Sequence, residues 1–185
     1  MSSTSRSYSL STIQWFSLLL IVIVSLTILS PSVKGFSDAH DPNRVSIGPS
    51  TEEGNHHSSA SSMSDNGLYV AFISVASNLV ANDTNSQHDV FLYNKSTNNV
   101  TRISMGSGGA EADGASAEPF ISADGRYIAY SSSASNLVAN DTNWVPDIFL
   151  YDTQTATTTR VSVDSNGIEG EGPSSLPSIS ANGRY

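Results

Sequence analysis

Asp83, Asn85 and Asp89 stand in the spacing D-x-N-x-x-x-D, and Asp141, Asn143 and Asp147 repeat it. Oxygen side chains at alternate positions, followed by a further carboxylate, are what a hard cation such as Ca²⁺ collects. The match to a helix-flanked calcium loop is incomplete, because the fifth-position ligand, the sixth-position glycine and the bidentate glutamate at position twelve are missing. The same stretch has a structural reading. Asn and Asp hold turns by local hydrogen bonds, while Leu79 and Val80, with Leu137 and Val138, fill the seam between neighbouring units. No organic cofactor signature is present, and calcium at this loop is the single cofactor reading the spacing offers.

Catalytic signatures are missing from the sequence. It contains no G-x-S-x-G elbow, no H-E-x-x-H, no phosphate loop and no G-x-G-x-x-G after a strand. Ser122-Ala123-Asp124-Gly125 differs from the sialidase Asp-box, which spaces Ser, Asp and Gly at alternate positions, whereas Asp124 and Gly125 are adjacent. Asp89 and Asp147 would form a carboxylate pair only if the fold brings them together, and one per unit is also what strand-entry residues produce. His56-His57 sits in a Ser-rich loop and has no counterpart in the second copy, which favours solvated imidazoles over a metal site. Asn82, Asn94, Asn99 and Asn140 head N-x-Ser/Thr sequons, acceptors for glycans in a eukaryotic secretory route.

The elements that position these residues follow from a repeat. Ala76 to Asn85 reads ASNLVANDTN, and Ala134 to Asn143 is identical, an offset of 58 (134 minus 76). The offset also carries Arg44-Val45-Ser46 into Arg102-Ile103-Ser104 and Arg160-Val161-Ser162, and Asn66-Gly67 into Asp124-Gly125 and Asn182-Gly183. A strict period of this size marks units that bury their apolar faces only by stacking. Loops normally diverge faster than strands. Here GSGGAEADGASAE and SNGIEGEGPSSLP hardly match while the loop is unchanged, so the loop has a role in the fold, in binding, or in both.

One unit reads as four short strands. Pro119 to Ser122 leads through the Asp124-Gly125 turn into Arg126 to Ser131, the repeated loop follows, and Asp147 to Asp152 and Thr158 to Val163 complete an antiparallel meander. With 17 acidic against 8 scattered basic residues, the chain has no footprint for nucleic acid. It has no cysteine, which removes disulfides and thiolate metal sites.

PFISADGRYIAYSS, followed by DIFLYD and TTRVSV, resembles the TolB-like β-propeller repeat, from Arg44 to Tyr185. The resemblance implies an all-β fold, a propeller of four-stranded antiparallel blades, with an incomplete ring in this chain. Two departures stand out: Asn66 and Asn182 replace the turn Asp, and the loop between second and third strands is long for a blade. Propellers need about four blades, so the sequence reads as a fragment of a longer protein or as part of an assembly.

Arg6 followed by the apolar run Leu10 to Leu29 predicts a hydrophobic N-terminal helix over residues 1–35, a signal peptide cleaved near Phe36 or a single-span anchor. Residues 36–43 form a linker. Repeats follow at 44–101, 102–159 and, truncated, 160–185. Either reading of residues 1–35 places the repeats outside the cytoplasm, with the membrane touched only through that segment. Of the function classes, a non-catalytic scaffold for a protein or polysaccharide comes first. Behind it stand an accessory propeller of a larger secreted enzyme, such as a prolyl-oligopeptidase-type peptidase or a polysaccharide-acting enzyme, and a structural component of the cell surface.

Overall fold

A computed structural model describes residues 44–50 and 52–185. The hydrophobic helix expected over 1–35 and the linker 36–43 lie outside the described residues. Among the described residues no helix is long and apolar enough to cross a membrane.

The described residues make two four-stranded antiparallel meanders. The first runs β1 (Ser58–Met63), β2 (Tyr69–Ser74), β3 (Asp89–Asn94) and β4 (Asn99–Arg102), and the second β5 (Ser116–Ile121), β6 (Tyr127–Ser132), β7 (Asp147–Asp152) and β8 (Thr157–Arg160). Strand order follows sequence order in both sheets. Composition explains the layout. DVFLYN of β3 is buried from Asp89 to Tyr93, as a central strand covered on both faces must be, whereas NVTR of β4 alternates exposed and covered positions as an outer strand does.

The turn between the first two strands of each sheet is built from one serine and one Asx. Asp124 Oδ1 accepts from Ser122 Oγ at 2.6 Å and from Arg126 N at 3.0 Å, while Ser122 Oγ accepts from Tyr127 N at 3.0 Å. Asn66 Oδ1 takes the Ser64 hydroxyl at 2.7 Å and Leu68 N at 2.9 Å. Asn182 Oδ1 takes Ser180 Oγ at 2.8 Å and Arg184 N at 3.1 Å. Only an accepting oxygen is required, so Asn replaces Asp without changing the turn. The next residue must be left-handed, and Gly67, Gly125 and Gly183 have φ of 66°, 77° and 67°.

The first strand begins earlier than the alternation suggests, at Ser116 rather than Pro119. A bulge between Ala117 and Phe120, with Glu118 at φ 55°, breaks the register. Pro119 has no N–H and fits the bulge, where no ladder bond is lost. The fourth strand ends at Arg160 rather than Val163, and Val163 instead bridges to Glu169.

The two sheets stack face against face, β5 lying against β1, β2 and β3. One apolar cluster joins them, with Ala71, Val90, Leu92 and Ile103 from the first sheet and its flank meeting Ile121, Ile128, Tyr130, Leu137 and Phe149. Leu137 from the repeated loop, 3% exposed, is part of this shared core, and Leu79 fills the equivalent place beside Phe72, Phe91 and Tyr93. Backbone bonds recur at the same period: Asp65 N donates to Ala123 O and Ala123 N to Ala181 O, both at 3.0 Å. Sequential meanders stacked in this way are β-propeller blades.

Candidate functional site

The acidic residues of the repeated loop converge on an arginine. Arg102, the last residue of β4, points Nη1 at Asp83 Oδ1 (3.0 Å), Asp89 Oδ2 (3.3 Å) and Glu111 Oε1 (2.8 Å). Its Nη2 donates to the Asn82 carbonyl at 3.3 Å. In the second blade Arg160 Nη1 meets Asp141 (3.4 Å), Asp147 (3.4 Å) and Glu169 (2.6 Å), and Nη2 donates to the Asn140 carbonyl at 3.0 Å. Arg44 pairs with Glu53 in the partial copy ahead of β1. Each arginine is nearly sealed from solvent in the two full copies, and its guanidinium ties together three chain segments distant in sequence.

Most residues of the loop are held by specific contacts. Asn78 Nδ2 donates to the Glu53 carbonyl at 2.8 Å and Asn136 Nδ2 to the Glu111 carbonyl at 2.7 Å, fastening the loop to the segment entering its own sheet. Asn82 and Asn140 adopt φ of 59° and 61°, a left-handed conformation Asn tolerates, and this turns their carbonyls to the arginines. Thr84 donates Oγ1 to Glu111 at 2.6 Å, and its N–H donates to the other carboxylate oxygen at 2.7 Å. Thr142 repeats both bonds to Glu169. Asp89 Oδ1 accepts the Ser104 hydroxyl at 2.6 Å, and Asp147 accepts that of Ser162 at 2.6 Å.

The electrostatics divide the carboxylates. Burial pushes the Asp83 and Asp141 carboxyls above the usual range, against the pull of Arg102 and Arg160. Glu111 is held down to about 2, first by the Thr84 hydrogen bonds and then by Arg102. Glu169 is lowered in the same way, with Thr142 the leading cause.

Of the six residues read from the sequence as a hard-cation set, Asp83 and Asp89 face the Arg102 guanidinium and Asp141 and Asp147 face that of Arg160. Asp141, Asp147 and Glu169 place carboxylate oxygens within 4.8 Å of one another, a spacing a metal ion could bridge. The asparagines do not join them as oxygen donors. Asn85 Nδ2 faces Asp89 Oδ2 at 3.0 Å and the Ala112 carbonyl at 3.2 Å, two acceptors that require its nitrogen. Its oxygen is turned to Gln87 N at 3.0 Å, and Asn143 likewise turns its oxygen to Val145 N at 3.1 Å. This donor set fits a guanidinium, and a divalent ion would have to displace it.

Glu111, Glu169 and Glu53 escape a reading of the loop alone, although they share its period: 53 plus 58 is 111, and 111 plus 58 is 169. Each also forms an isolated antiparallel bridge, Glu53 with Ile47, Glu111 with Met105 and Glu169 with Val163. Arg102 Nε reaches Met105 Sδ at 3.1 Å, whereas Val163 at the equivalent place offers no acceptor and Arg160 Nε has no partner among the described residues. His56 and His57 are exposed, and the His57 carbonyl accepts from Ser74 Oγ at 3.1 Å. Of the sequon asparagines, Asn94 spends its side-chain oxygen on Ser96 N at 2.9 Å, and Asn99 donates to Thr101 Oγ1 at 3.2 Å.

No protein-family model and no curated protein matches the sequence. Among solved structures, TolB from Acinetobacter baumannii matches 72% of this chain at 18% identity, with 26% of its own length covered and a TM-score of 0.41. A putative TolB from Agrobacterium tumefaciens matches 57% of the chain at 17% identity, with 30% of its length covered and a TM-score of 0.38. The β-propeller domain of the Trilobed protease from Pyrococcus furiosus matches 57% at 18% identity, with 27% covered and a TM-score of 0.34. The chain therefore spans between about a quarter and a third of these structures. On the stacking of its own two meanders the chain is a run of β-propeller blades, and those blades are similar to TolB's.

Proposed function

We propose that the chain is an extracytoplasmic binding scaffold without catalysis of its own, and that Trp144 marks its binding edge. The carrying observation is a contrast between copies. Trp144 follows the repeated loop directly, is 85% exposed and has φ 60°, a conformation that costs a bulky residue free energy. The equivalent position in the first blade is Ser86, at φ 56°. The turn therefore does not need an aromatic, and the arginine cage beneath it uses none. An exposed indole held on a turn anchored from below is suited to stacking on a sugar face or seating in a partner protein's pocket. Export rests on the apolar run after Arg6.

The test uses Trp144 as both probe and site. With Trp15 replaced by Phe, Trp144 is the single tryptophan of the chain. Its fluorescence is followed against soluble glucans, xylans and peptidoglycan fragments, and a photocrosslinker at position 144 reports protein partners in exporting cells. A saturable change, or one discrete adduct, lost on Trp144→Ser without loss of thermal stability is the expected result. Binding that survives Trp144→Ser would overturn the reading.

A further inference from the structure

At three positions around one cleft the second blade departs in chemistry from the first. Tyr130 stands where the first blade has Phe72, Thr158 where it has Val100, and Ala156 where it has Asn98. The apolar contacts of the same sheet face are kept: Val70 matches Ile128, Phe91 matches Phe149, Leu79 matches Leu137 and Val80 matches Val138. The departures gather at one place.

The cleft lies in the seam where the first blade meets the second, and its volume is about 560 Å³. Ile103 from the segment after β4, Leu137 and Val138 from the repeated loop, and Tyr151, Ala156 and Thr158 from the second sheet line it. Pockets that take small molecules run from roughly 300 to 1,000 Å³. Gly106 seats one wall on the other. A Cβ there would stand 2.9 Å from the Asn136 carbonyl oxygen, so the segment after β4 lies directly on the repeated loop.

Each departure leaves a hydroxyl without the partner or the neutral filling that the first blade gives it. In the first blade Tyr93 Oη donates to Asn98 Oδ1 at 2.9 Å, and with Ala156 in that place the Tyr151 hydroxyl loses this acceptor. Ala156 has φ 53° beside 54° for Asn98, a left-handed conformation that suits Asn and strains Ala, so the turn itself does not call for alanine. Thr158 brings a hydroxyl to the cleft wall where Val100 has a methyl group. Beneath it Tyr130, fully buried, directs its hydroxyl towards Thr158 and has no hydrogen-bond partner among the described residues. A polar group sealed inside a folded chain without a partner is rare. Here it backs a cavity.

The walls define the ligand. Hydroxyls both donate and accept, while Ile103, Leu137 and Val138 offer apolar surface and Tyr151 a ring. Arg102 also borders the cleft, but its guanidinium is taken up by Asp83, Asp89 and Glu111. A charged ligand would be buried there without a counter-charge.

We propose that this cleft binds a neutral sugar of one or two rings, with its hydroxyl groups on Tyr151 and Thr158 and its C–H face on the apolar wall. Tyr130 is a positioning residue, which holds the Thr158 hydroxyl from below. The site is separate from Trp144 and does not depend on the binding role given to it.

The test is calorimetric titration of the full chain, in mild detergent, with glucose, galactose, N-acetylglucosamine, maltose, cellobiose and chitobiose. Every protein used carries Trp144→Ser, so the exposed indole contributes nothing and failure of this site is read apart from failure of that one. At least one sugar should give a saturable heat. Thr158→Val and Tyr130→Phe should each weaken it by about tenfold, what one hydrogen bond contributes. Ala156→Asn returns to Tyr151 the acceptor that Tyr93 has, and should weaken it likewise. The three changes together install the first blade's own residues, so this variant should fold and should not bind. No saturable heat from any of the six sugars, equal affinity in the triple variant, or glucuronate bound as tightly as glucose would overturn the proposal.

Discussion

Arg102 and Glu111 stand 2.8 Å apart across nine residues of chain, and Arg160 and Glu169 repeat the pair at 2.6 Å. Between Arg102 and Glu111 the chain leaves the first sheet and begins the approach to the second, so this ion pair closes the connection between the two blades. The repeated loop supplies the Thr that binds the same glutamate. Loop, arginine and glutamate form one clamp.

The clamp should show itself in acid. The Glu111 carboxyl titrates near 4.5 when free and is lowered to about 2 in the fold. A lowered folded value means stability present in full above about pH 4.5 and lost as pH falls towards about 2. Glu111→Gln should therefore lower the melting temperature at pH 7, and the gap from wild type should shrink steadily below pH 4.5. Asp83 acts with the opposite sign. Its raised folded value favours the neutral acid, so Asp83→Asn should cost less at pH 7 than Glu111→Gln does. Thermal scans from pH 2 to 7 check both, and parallel curves for Glu111→Gln and wild type would refute the assignment.

How much of this was legible depended on whether the residue acts along the chain or across it. Asp147 to Asp152 is a strand in both sequence and structure, because an Asp-led run of apolar residues between turn signals leaves few alternatives. The Ser-x-Asx-Gly turn was legible for the same reason, since its bonds are local. The loop's acids were recognised as a set, but their counter-charge was not. Arg102 lies 19 residues beyond Asp83 (102 minus 83), and nothing local announces that a strand end will deliver it. Glu169 was hidden by its neighbours. The segments around Glu111 and Glu169 look unrelated as runs of letters, yet in register they share Ser107 with Ser165, Gly109 with Gly167, Glu111 with Glu169, Gly114 with Gly172, and Ser116 with Ser174. Divergence fell between the residues that make contacts.

Calcium and guanidinium compete for one place. With Arg160 Nη1 within 3.4 Å of all three carboxylates, the ion must evict a buried cation before it binds. Millimolar calcium should leave the melting temperature of the wild-type chain unchanged. Arg160→Ala removes the competitor and leaves Asp141, Asp147 and Glu169 with oxygens within 4.8 Å, so this variant should be destabilised and should regain melting temperature with calcium by mass action. Differential scanning with calcium or magnesium against chelator checks the pair. A calcium shift in the wild type equal to that in Arg160→Ala would favour the metal reading of the loop over the guanidinium clamp.

The aromatic pair at each blade's centre supplies the last test. Phe72 stacks on Phe91 with ring centroids 5.7 Å apart, and Tyr130 stacks on Phe149 at 5.9 Å in the equivalent place. The difference between the pairs is one hydroxyl. Tyr130 is fully buried, and its hydroxyl lies towards Thr158 without closing a hydrogen bond to any described residue. Burial also pushes its ionisation well above the ordinary phenol range. A buried hydroxyl with no partner costs about 1–3 kcal/mol, and the first blade shows that phenylalanine fits the stack. Tyr130→Phe should therefore stabilise the chain by about 1 kcal/mol, while Phe72→Tyr, which buries a new hydroxyl, should destabilise it. Denaturant melts of the two variants decide the matter. A loss of stability in Tyr130→Phe would mean that the hydroxyl is bonded in solution, through Thr158 or a bound water, and that the blades differ by design at this position.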